Sequence, residues 1–181
     1  LFTLGKENNP NYTEDDVKAA TRVLTGWTID ETFTYLDPVT TIPAGKMASH
    51  LEGSVDVATE HDPGQKTFSQ KFGGAVIEPA VLVNGFPTVE AAYGELDEMI
   101  EMMFAQAETA RFIARKLYRF FVYHFISDEV ETDIIGPLAQ ILRDTDFQLI
   151  DALDVLLKSQ HFYDVDDAVS ENDNKGALIK S

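Results

Sequence analysis

The stretch from Trp27 to Pro87 most constrains how this chain can fold, because proline and glycine interrupt it at short intervals. Prolines stand at positions 38, 43, 63, 79 and 87, and glycines at 45, 53, 64, 73, 74 and 85. Proline lacks a backbone N–H and glycine is unfavourable inside helices, so no long helix is expected here. The residues with strand chemistry are Ile29, Phe33, Tyr35, Val55 and Val57. We therefore predict an irregular, β-containing excursion over residues 28–87 that carries one or two small β-hairpins.

Apolar residues recur at helical spacing on both sides of this excursion. Thr13, followed by three acids, predicts a capped helix start. The expected helices cover about 13–25, 88–104, 109–125, 133–143 and 147–158. Pro137 must then lie in a first turn or at a kink. The sequence predicts a mainly α fold: a bundle of about five helices with a long irregular insertion, forming a single domain over residues 1–181.

Charge and cysteine content exclude several classes of function. The chain has 181 residues, 14 Lys+Arg against 31 Asp+Glu, a net charge of -17 and no cysteine. Disulfide frameworks, thiolate zinc sites and cysteine nucleophiles are thus absent. The negative field opposes binding to nucleic acids and anionic membranes. The apolar run from Phe120 to Ile126 is far short of a membrane span. No nucleotide-binding glycine motif is present, so no cofactor is expected.

The segment from His61 to Lys66 is the best candidate for chemistry. Pro63 and Gly64 have the chemistry of a type II turn, with Gly64 at positive φ, which would fix His61, Asp62 and Lys66 at its base. A histidine beside a carboxylate can act as a general base or form half of a metal site. The favoured alternative is structural, with Asp62 capping the turn while His61 and Lys66 hydrogen-bond to the backbone.

A basic stripe on the third predicted helix is the second candidate. Arg111, Arg115 and Arg119 recur every four residues, with Lys116 beside them. Guanidinium groups bind phosphate, sulfate or acidic sugars in a bidentate manner, so these four residues are candidates for an anion site. Ion pairing with the many carboxylates of the chain is the favoured alternative.

Metal sites are not expected, because none of the four histidines forms a recognised ligand pair. His124 is expected to be a buried, hydrogen-bonded residue, and His161 to lie at a helix end. The acidic segment 164–174 superficially suggests calcium, but Val169 occupies the position where an EF-hand needs glycine.

Aromatic residues accompany the excursion and have two interpretations. They are Trp27, Phe33, Tyr35, Phe68, Phe72 and Phe86. Exposed rings would line a groove for carbohydrate or peptide, whereas buried rings would anchor the excursion to the helices. We favour the anchor.

Several motifs together resemble one known family. They are L-F-T-L-G at 1–5, Y-T-E-D-D-V at 12–17, L-T-G-W at 24–27, H-D-P-G-Q-K-T-F at 61–68 and A-R-F-I-A-R-K-L-Y-R-F-F-V at 110–122, with S-Q-H-F-Y at 159–163 and L-I-K-S at 178–181 later. In this order and spacing they resemble the bacterial domain-of-unknown-function family 1800. The resemblance implies that the chain is the C-terminal portion of a longer, exported bacterial protein, periplasmic or extracellular, with no established activity.

Two functions from different classes follow. The first is a non-catalytic helical binding or interaction module that takes a protein partner or an extracellular ligand, because no compact catalytic constellation is visible. The second is part of a hydrolase whose active site is completed by a preceding N-terminal half, with His61, Asp62, Lys66 and the basic stripe contributing. For this chain the balance is against an enzyme.

Overall fold

The computed structural model describes residue 4 and residues 11–163. The chain divides into two compact units. Among the described residues, we call 11–103 the hairpin unit, and we call residue 4 together with 104–163 the helical unit. The single domain over residues 1–181 stays a prediction.

The hairpin unit begins with helix α1, Glu14–Val23, which starts where the sequence predicted. The Thr13 side chain accepts from the backbone N–H of Asp16, and Asp16 accepts in return from the backbone N–H of Thr13. This reciprocal capping box satisfies two N–H groups that helical hydrogen bonding leaves unpaired. The predicted helix start at Thr13 is confirmed.

Short antiparallel strand pairs occupy the predicted excursion. They are β1 Trp27–Thr28 with β2 Lys46–Met47, β3 His50–Glu52 with β4 Val55–Val57, β5 Lys66–Thr67 with β6 Val76–Ile77, and β7 Leu82–Val83 with β8 Phe86–Pro87. A single 3₁₀ turn, Gln70–Phe72, lies between β5 and β6. The described chain thus has more pairs than the one or two expected, although the strand at Val55 and Val57 is confirmed.

The predicted strand through Ile29, Phe33 and Tyr35 is wrong, since none of the three lies in a strand. The carboxylate of Asp30 accepts from the backbone N–H groups of Thr32, Thr34 and Tyr35. It also accepts from the hydroxyls of Thr32 and Thr34. These local bonds give the backbone an alternative to a strand ladder, and they curl it into a loop.

Helix α2, Val89–Phe104, closes the hairpin unit and matches its predicted range. The Thr88 hydroxyl accepts from the backbone N–H of Ala91 at 3.1 Å. One face of α2 is buried, at Ala91, Ala92, Glu95 and Met99. Ala92 packs with Met47 and Ala58 in a small core against which Trp27, Val89 and Tyr93 lie.

The helical unit contains the remaining described helices. They are α3 Ala107–Phe121, α4 Asp128–Val130, a π-helical turn Glu131–Ile135, α5 Gly136–Asp144, α6 Leu149–Lys158 and α7 Gln160–Tyr163. Its core includes Ala110, Ala114 and Tyr118 of α3 together with Leu138, Leu142 and Leu156. Pro137 lies in the first turn of α5, directly after the π-helical turn, as its missing N–H requires.

Helix α3 ends at Phe121, earlier than the predicted 125. His124 therefore lies beyond the helix and is exposed, so its predicted burial is wrong. Phe120 is 81% exposed, and the buried face of α3 is formed instead by Thr109, Ala110, Ala114 and Tyr118.

The described chain is mainly helical, with small antiparallel strand pairs. A bundle of five helices stays a prediction. In the part of the chain that the structure describes, none of the helices combines the length and the hydropathy that crossing a bilayer demands.

Candidate functional site

His61 lies in the connection between β4 and β5 and is 2% exposed. Its Nδ1 atom is 2.8 Å from the carbonyl oxygen of Thr25. A carbonyl only accepts, so Nδ1 carries the proton and donates it. The second ring nitrogen, Nε2, faces the interior of the hairpin unit, where it meets Glu95 of α2.

Lys66 of β5 points to the same carboxylate. Its Nζ atom donates to the carbonyl oxygen of Asp62 at 2.6 Å and forms an ion pair with Oε2 of Glu95. Lys66 is 0% exposed and Glu95 is 1% exposed. The structure thus brings two predicted residues, His61 and Lys66, together on a third residue that the sequence analysis did not single out. We call His61, Lys66 and Glu95 the buried charge cluster.

One contact of the buried charge cluster is incomplete. His61 Nε2 lies 3.3 Å from Glu95 Oε1, close enough for an ion pair, yet neither atom has a hydrogen-bond partner. Because Nδ1 already holds the proton of a neutral ring, Nε2 can donate to Glu95 only as an imidazolium. The charge on Glu95 is therefore balanced on one oxygen by Lys66 and left without a donor on the other.

Asp62 points away from the cluster, toward Arg22 of α1. The guanidinium forms a bidentate pair with Asp62, at 2.7 and 3.0 Å, and also donates to the carbonyl oxygen of Gln65. The Arg22 hydrogen bond lowers the pKa of Asp62 to about 2. Asp62 also accepts from the backbone N–H of Gly64 at 2.8 Å. This contact is a local cap, and it ties the connection to α1.

The predicted type II turn at Pro63 and Gly64 is wrong, since Gly64 does not have a positive φ. Glycine is needed there for a different reason. A Cβ at Gly64 would lie 2.6 Å from Nη2 of Arg22 and 3.1 Å from Oδ1 of Asp62. Gly64 therefore leaves room for the guanidinium to reach Asp62.

A second buried acid fixes α1 to the 3₁₀ turn. Asp16 is 0% exposed and accepts from the backbone N–H and the hydroxyl of Ser69, at 2.6 and 2.8 Å. Burial raises the pKa of Asp16, but hydrogen bonds from Ser69 and Thr13 outweigh it, and the pKa lies below its usual range. Asp16 is thus a structural residue that caps and anchors α1.

A groove beside the buried charge cluster is lined by one face of α2 and by residues 78–81. Its volume is about 240 Å³. Four glutamates line it, Glu78, Glu90, Glu95 and Glu98, so we call it the glutamate groove. Through Glu95, the groove adjoins the buried charge cluster. Sequence analysis missed the groove; the available signal was that Glu95 shares a helical stripe with the buried Ala91 and Met99.

The predicted anion-binding residues lie in the helical unit. Glu131 accepts from Arg111 at 2.9 Å and from Arg115 at 2.8 and 2.7 Å, and Glu108 also pairs with Arg115. The Glu131 hydrogen bond raises the pKa of Arg115 above its usual range. An anion would have to displace or share these carboxylates. The anion site at this stripe stays a prediction.

The other members of the stripe are placed differently. The Nζ atom of Lys116 lies 4.9 Å from the centre of the Phe112 ring, a cation–π contact. Arg119 lies in the last turn of α3, where a positive charge meets the negative end of the helix dipole. Both positions have local structural interactions on the surface of the helical unit.

The remaining histidines form separate contacts. His50 Nε2 is 2.9 Å from Glu52, and His161 Nε2 is 2.9 Å from the hydroxyl of Tyr118. His161 lies in α7, near the helix end that the sequence predicted. Within residue 4 and residues 11–163, no group of three potential ligands could hold a metal ion. The acidic segment 164–174 lies outside the described residues.

The aromatic residues of the excursion divide between its interior and its surface. Phe68 and Phe72 are buried and pack edge to face, 5.7 Å apart, and Trp27 packs edge to face on Tyr93 at 4.8 Å. Phe33, at 65% exposed, is on the surface. The anchoring interpretation therefore describes Trp27, Phe68 and Phe72, but it does not describe Phe33.

The fold and this site define a mainly helical protein with no familiar catalytic constellation among its described residues. Residues 1–181, the whole chain, match the family described as Protein of unknown function (DUF1800). The chain belongs to this family, and the resemblance carried by its sequence motifs is confirmed. Neither a curated protein nor a solved structure matches the chain significantly.

Proposed function

We propose that this chain is a non-catalytic binding module whose recognition surface is the glutamate groove beside α2. The observation that carries the proposal is the contrast between two neighbouring features. The candidate chemical groups His61, Lys66 and Glu95 are at most 2% exposed. The groove next to them is lined mainly by three exposed glutamates, Glu78, Glu90 and Glu98.

The contacts of the buried charge cluster support a structural role for it. His61 binds the backbone after α1, Lys66 binds the backbone at Asp62, and both meet Glu95 of α2. The cluster therefore connects three segments that are distant in sequence. Buried, paired charges of this kind keep the segments that carry them in a fixed arrangement. Here we propose that they support the floor of the groove.

One observation favours the hydrolase alternative. His61 and a carboxylate lie within 3.3 Å, and a histidine oriented by a backbone carbonyl beside a carboxylate is an arrangement used for general-base catalysis. Substrate would need access to His61 Nε2, which the 2% exposure of this residue opposes. The proposed export to the periplasm or the extracellular space rests on the family resemblance, and it is compatible with either function.

Hydrolysis of p-nitrophenyl acetate, phosphate and β-glucoside by the full chain tests the non-catalytic proposal. We expect rates equal to buffer for the wild type, for His61→Gln and for the exposed control His50→Gln. Circular dichroism establishes that each variant is folded. Hydrolysis above buffer that His61→Gln loses and His50→Gln retains would overturn the proposal in favour of the hydrolase.

A further inference from the structure

The turn between β7 and β8 places an asparagine directly before a glycine on the surface. Asn84 is the only asparagine of the chain that glycine follows. Asn84 and Gly85 have φ 52° and 87°, the left-handed values of a two-residue hairpin turn, and both residues are exposed. A Cβ at Gly85 would meet no atom within 4 Å, so the space around the turn is open. The peptide bond between these two residues is therefore accessible to water.

An asparagine side chain carries an electrophilic carbon, Cγ, close to the backbone nitrogen of the next residue. Attack of that nitrogen on Cγ closes a five-membered succinimide ring and expels the side-chain amide as ammonia. The side chain of the following residue normally hinders this ring closure, and glycine has none. Among the described residues, the N–H of Gly85 has no hydrogen-bond partner that would hold its nitrogen in place. Asn84 thus has the neighbour that cyclisation requires.

The strand pair that closes this turn is small. β7 and β8 join through two residue pairs, Leu82 with Pro87 and Val83 with Phe86. Pro87 has no backbone N–H and cannot donate to the ladder. Leu82 is 50% exposed, so its side chain adds little burial. A ladder this short and exposed opens locally at a low cost in free energy, and opening frees the backbone of Asn84 to rotate toward the geometry of cyclisation.

The side chain of Asn84 connects this turn to the strand pair of β3 and β4. Its Nδ2 atom donates to Oε2 of Glu52 at 3.2 Å. The other carboxylate oxygen of Glu52 accepts from Nε2 of His50 at 2.9 Å. The hydrogen bonds from His50 and Asn84 hold the pKa of Glu52 below its usual range. Position 84 therefore faces a carboxylate, and this contact requires a donor on the side chain at position 84.

We propose that Asn84 is a site of spontaneous deamidation and that its conversion opens the tip of the β7–β8 hairpin. The nitrogen of Gly85 loses its proton to hydroxide and bonds to Cγ of Asn84. The bond from Cγ to Nδ2 then breaks, and the amide takes up a proton from water and leaves as ammonia. Water hydrolyses the succinimide: breaking the new bond gives aspartate, and breaking the original peptide bond gives isoaspartate. One water is consumed, one ammonia is released, and nothing is oxidised or reduced.

Either product removes the contact with Glu52. A carboxylate at position 84 has no proton to donate at neutral pH, and because it faces a second carboxylate, repulsion replaces the hydrogen bond. Isoaspartate also lengthens the main chain by one methylene group. A two-residue turn cannot take up this extra length without losing the pairing of Val83 with Phe86.

The β7–β8 hairpin borders the glutamate groove. Val81 and Thr88 flank the hairpin in sequence, and both line the groove. The backbone N–H of Thr88 donates to the carbonyl oxygen of Val81 at 3.1 Å, and the Thr88 hydroxyl accepts from Ala91 of α2. Deamidation therefore alters a segment that ends at the proposed recognition surface, but the reaction itself does not depend on the proposed binding function.

Ageing of the full chain at mildly alkaline pH, followed by peptide mapping and intact mass, tests the modification. We expect a mass gain of about one dalton that maps to position 84, with separate aspartate and isoaspartate peptides. Asn11, which precedes the bulky Tyr12, should stay unconverted over the same period, because the Tyr12 side chain hinders ring closure. Conversion of Asn11 as fast as that of Asn84 would overturn the inference.

The same chain in concentrated urea supplies the reference rate for an open turn. We expect the folded chain to convert Asn84 within about tenfold of the rate in urea, because local opening of the short ladder costs little. A folded chain that keeps Asn84 intact while the chain in urea converts it would show that the hairpin protects the site, which contradicts the proposal.

Two substitutions test the consequence for the hairpin. Asn84→Asp supplies the aspartate product, since aspartate also tolerates positive φ, and it should lower the melting temperature by about 1–3 °C. In a Glu52→Gln background the facing carboxylate is gone, so Asn84→Asp should cause less than half of that fall. Circular dichroism measures each melt and establishes that each variant is folded. An equal fall in both backgrounds, or no fall in either, would overturn the proposed opening of the hairpin.

Discussion

Lys66 and Glu95 are charged side chains that lie almost wholly out of contact with solvent, at 0% and 1% exposure. Removing two charges from water is costly, and their attraction offsets the cost only when both partners are present. The carbonyl oxygen of Asp62 supplies a further acceptor to Lys66. The stability of the hairpin unit should therefore depend on this pair being complete.

Replacing Lys66 with methionine keeps the volume of the side chain but leaves Glu95 buried without its ion pair. We expect Lys66→Met to lower the free energy of unfolding by about 3–5 kcal/mol, measured by urea denaturation. The exposed control Lys46→Met should change it by less than about 0.5 kcal/mol.

A second substitution separates the buried charge from simple loss of packing. Adding Glu95→Leu to Lys66→Met removes the uncompensated carboxylate and should recover a large part of the lost stability. If Lys66→Met behaves like Lys46→Met, or if the double variant is no more stable than Lys66→Met, then the pair does not stabilise the unit as argued.

Sequence reasoning identified part of this site at the scale of residues. His61, Asp62 and Lys66 stand within six positions, and their chemistry is visible in the sequence. Glu95 lies 29 residues from Lys66, so only the fold brings it there. Gly64 was correctly associated with the segment but for the wrong reason, because Arg22, 42 positions away, sets the close approach.

Gly94 lies inside helix α2, a position where glycine is unfavourable. A glycine inside a helix loses stability through backbone entropy, and the structure shows no neighbour that requires it. Gly94→Ala should therefore raise the free energy of unfolding by about 0.5–1 kcal/mol. The corresponding rise in melting temperature is about 1–4 °C for a chain of this size, measured by circular dichroism.

Gly26 supplies the control for that prediction. It has φ +77°, and a Cβ there would lie 2.9 Å from the backbone nitrogen of His61. Gly26→Ala should therefore lower the melting temperature, since both strain and close contact oppose it. A fall in melting temperature for Gly94→Ala would show that the open face of α2 is not free to accept a side chain.

The elements differ in how far sequence could predict them. The helix at α1 follows from local capping by Thr13 and Asp16, and α2 follows from its apolar period, so both were predicted well. The turn between β7 and β8 had a local signal that was overlooked: Asn84 and Gly85 have φ 52° and 87°, as an Asn-Gly hairpin turn requires.

The structure of other segments is decided by interactions that the hydrophobic periodicity of the sequence does not reveal. The loop at 30–35 was mistaken for a strand because the capping by Asp30 outweighs the β-propensity of the aromatic residues around it. The strand pair of β1 and β2 joins segments about twenty residues apart, and no local pattern specifies that pairing. Short strands of two residues leave little sequence signal of any kind.

The whole molecule carries a net charge of -17, and this charge favours the approach of cations over that of anions. A negative field raises the local concentration of cations and speeds their association, and it repels phosphates and acidic sugars. The basic stripe on α3 is the local exception, and in the structure Glu108 and Glu131 engage Arg111 and Arg115. The glutamate groove follows the general trend, since Glu78, Glu90 and Glu98 add negative charge at one place on the hairpin unit.

The central claim is that His61, Lys66 and Glu95 hold the hairpin unit together and do not catalyse a reaction, and the variant His61→Gln tests both parts. It should lower the free energy of unfolding in urea, because it removes the contact of Nδ1 with the carbonyl oxygen of Thr25. It should also leave the hydrolysis of p-nitrophenyl acetate at the buffer rate that we expect for the wild type. A wild type that hydrolyses the ester, together with a His61→Gln variant that is inactive but as stable as the wild type, would contradict the account.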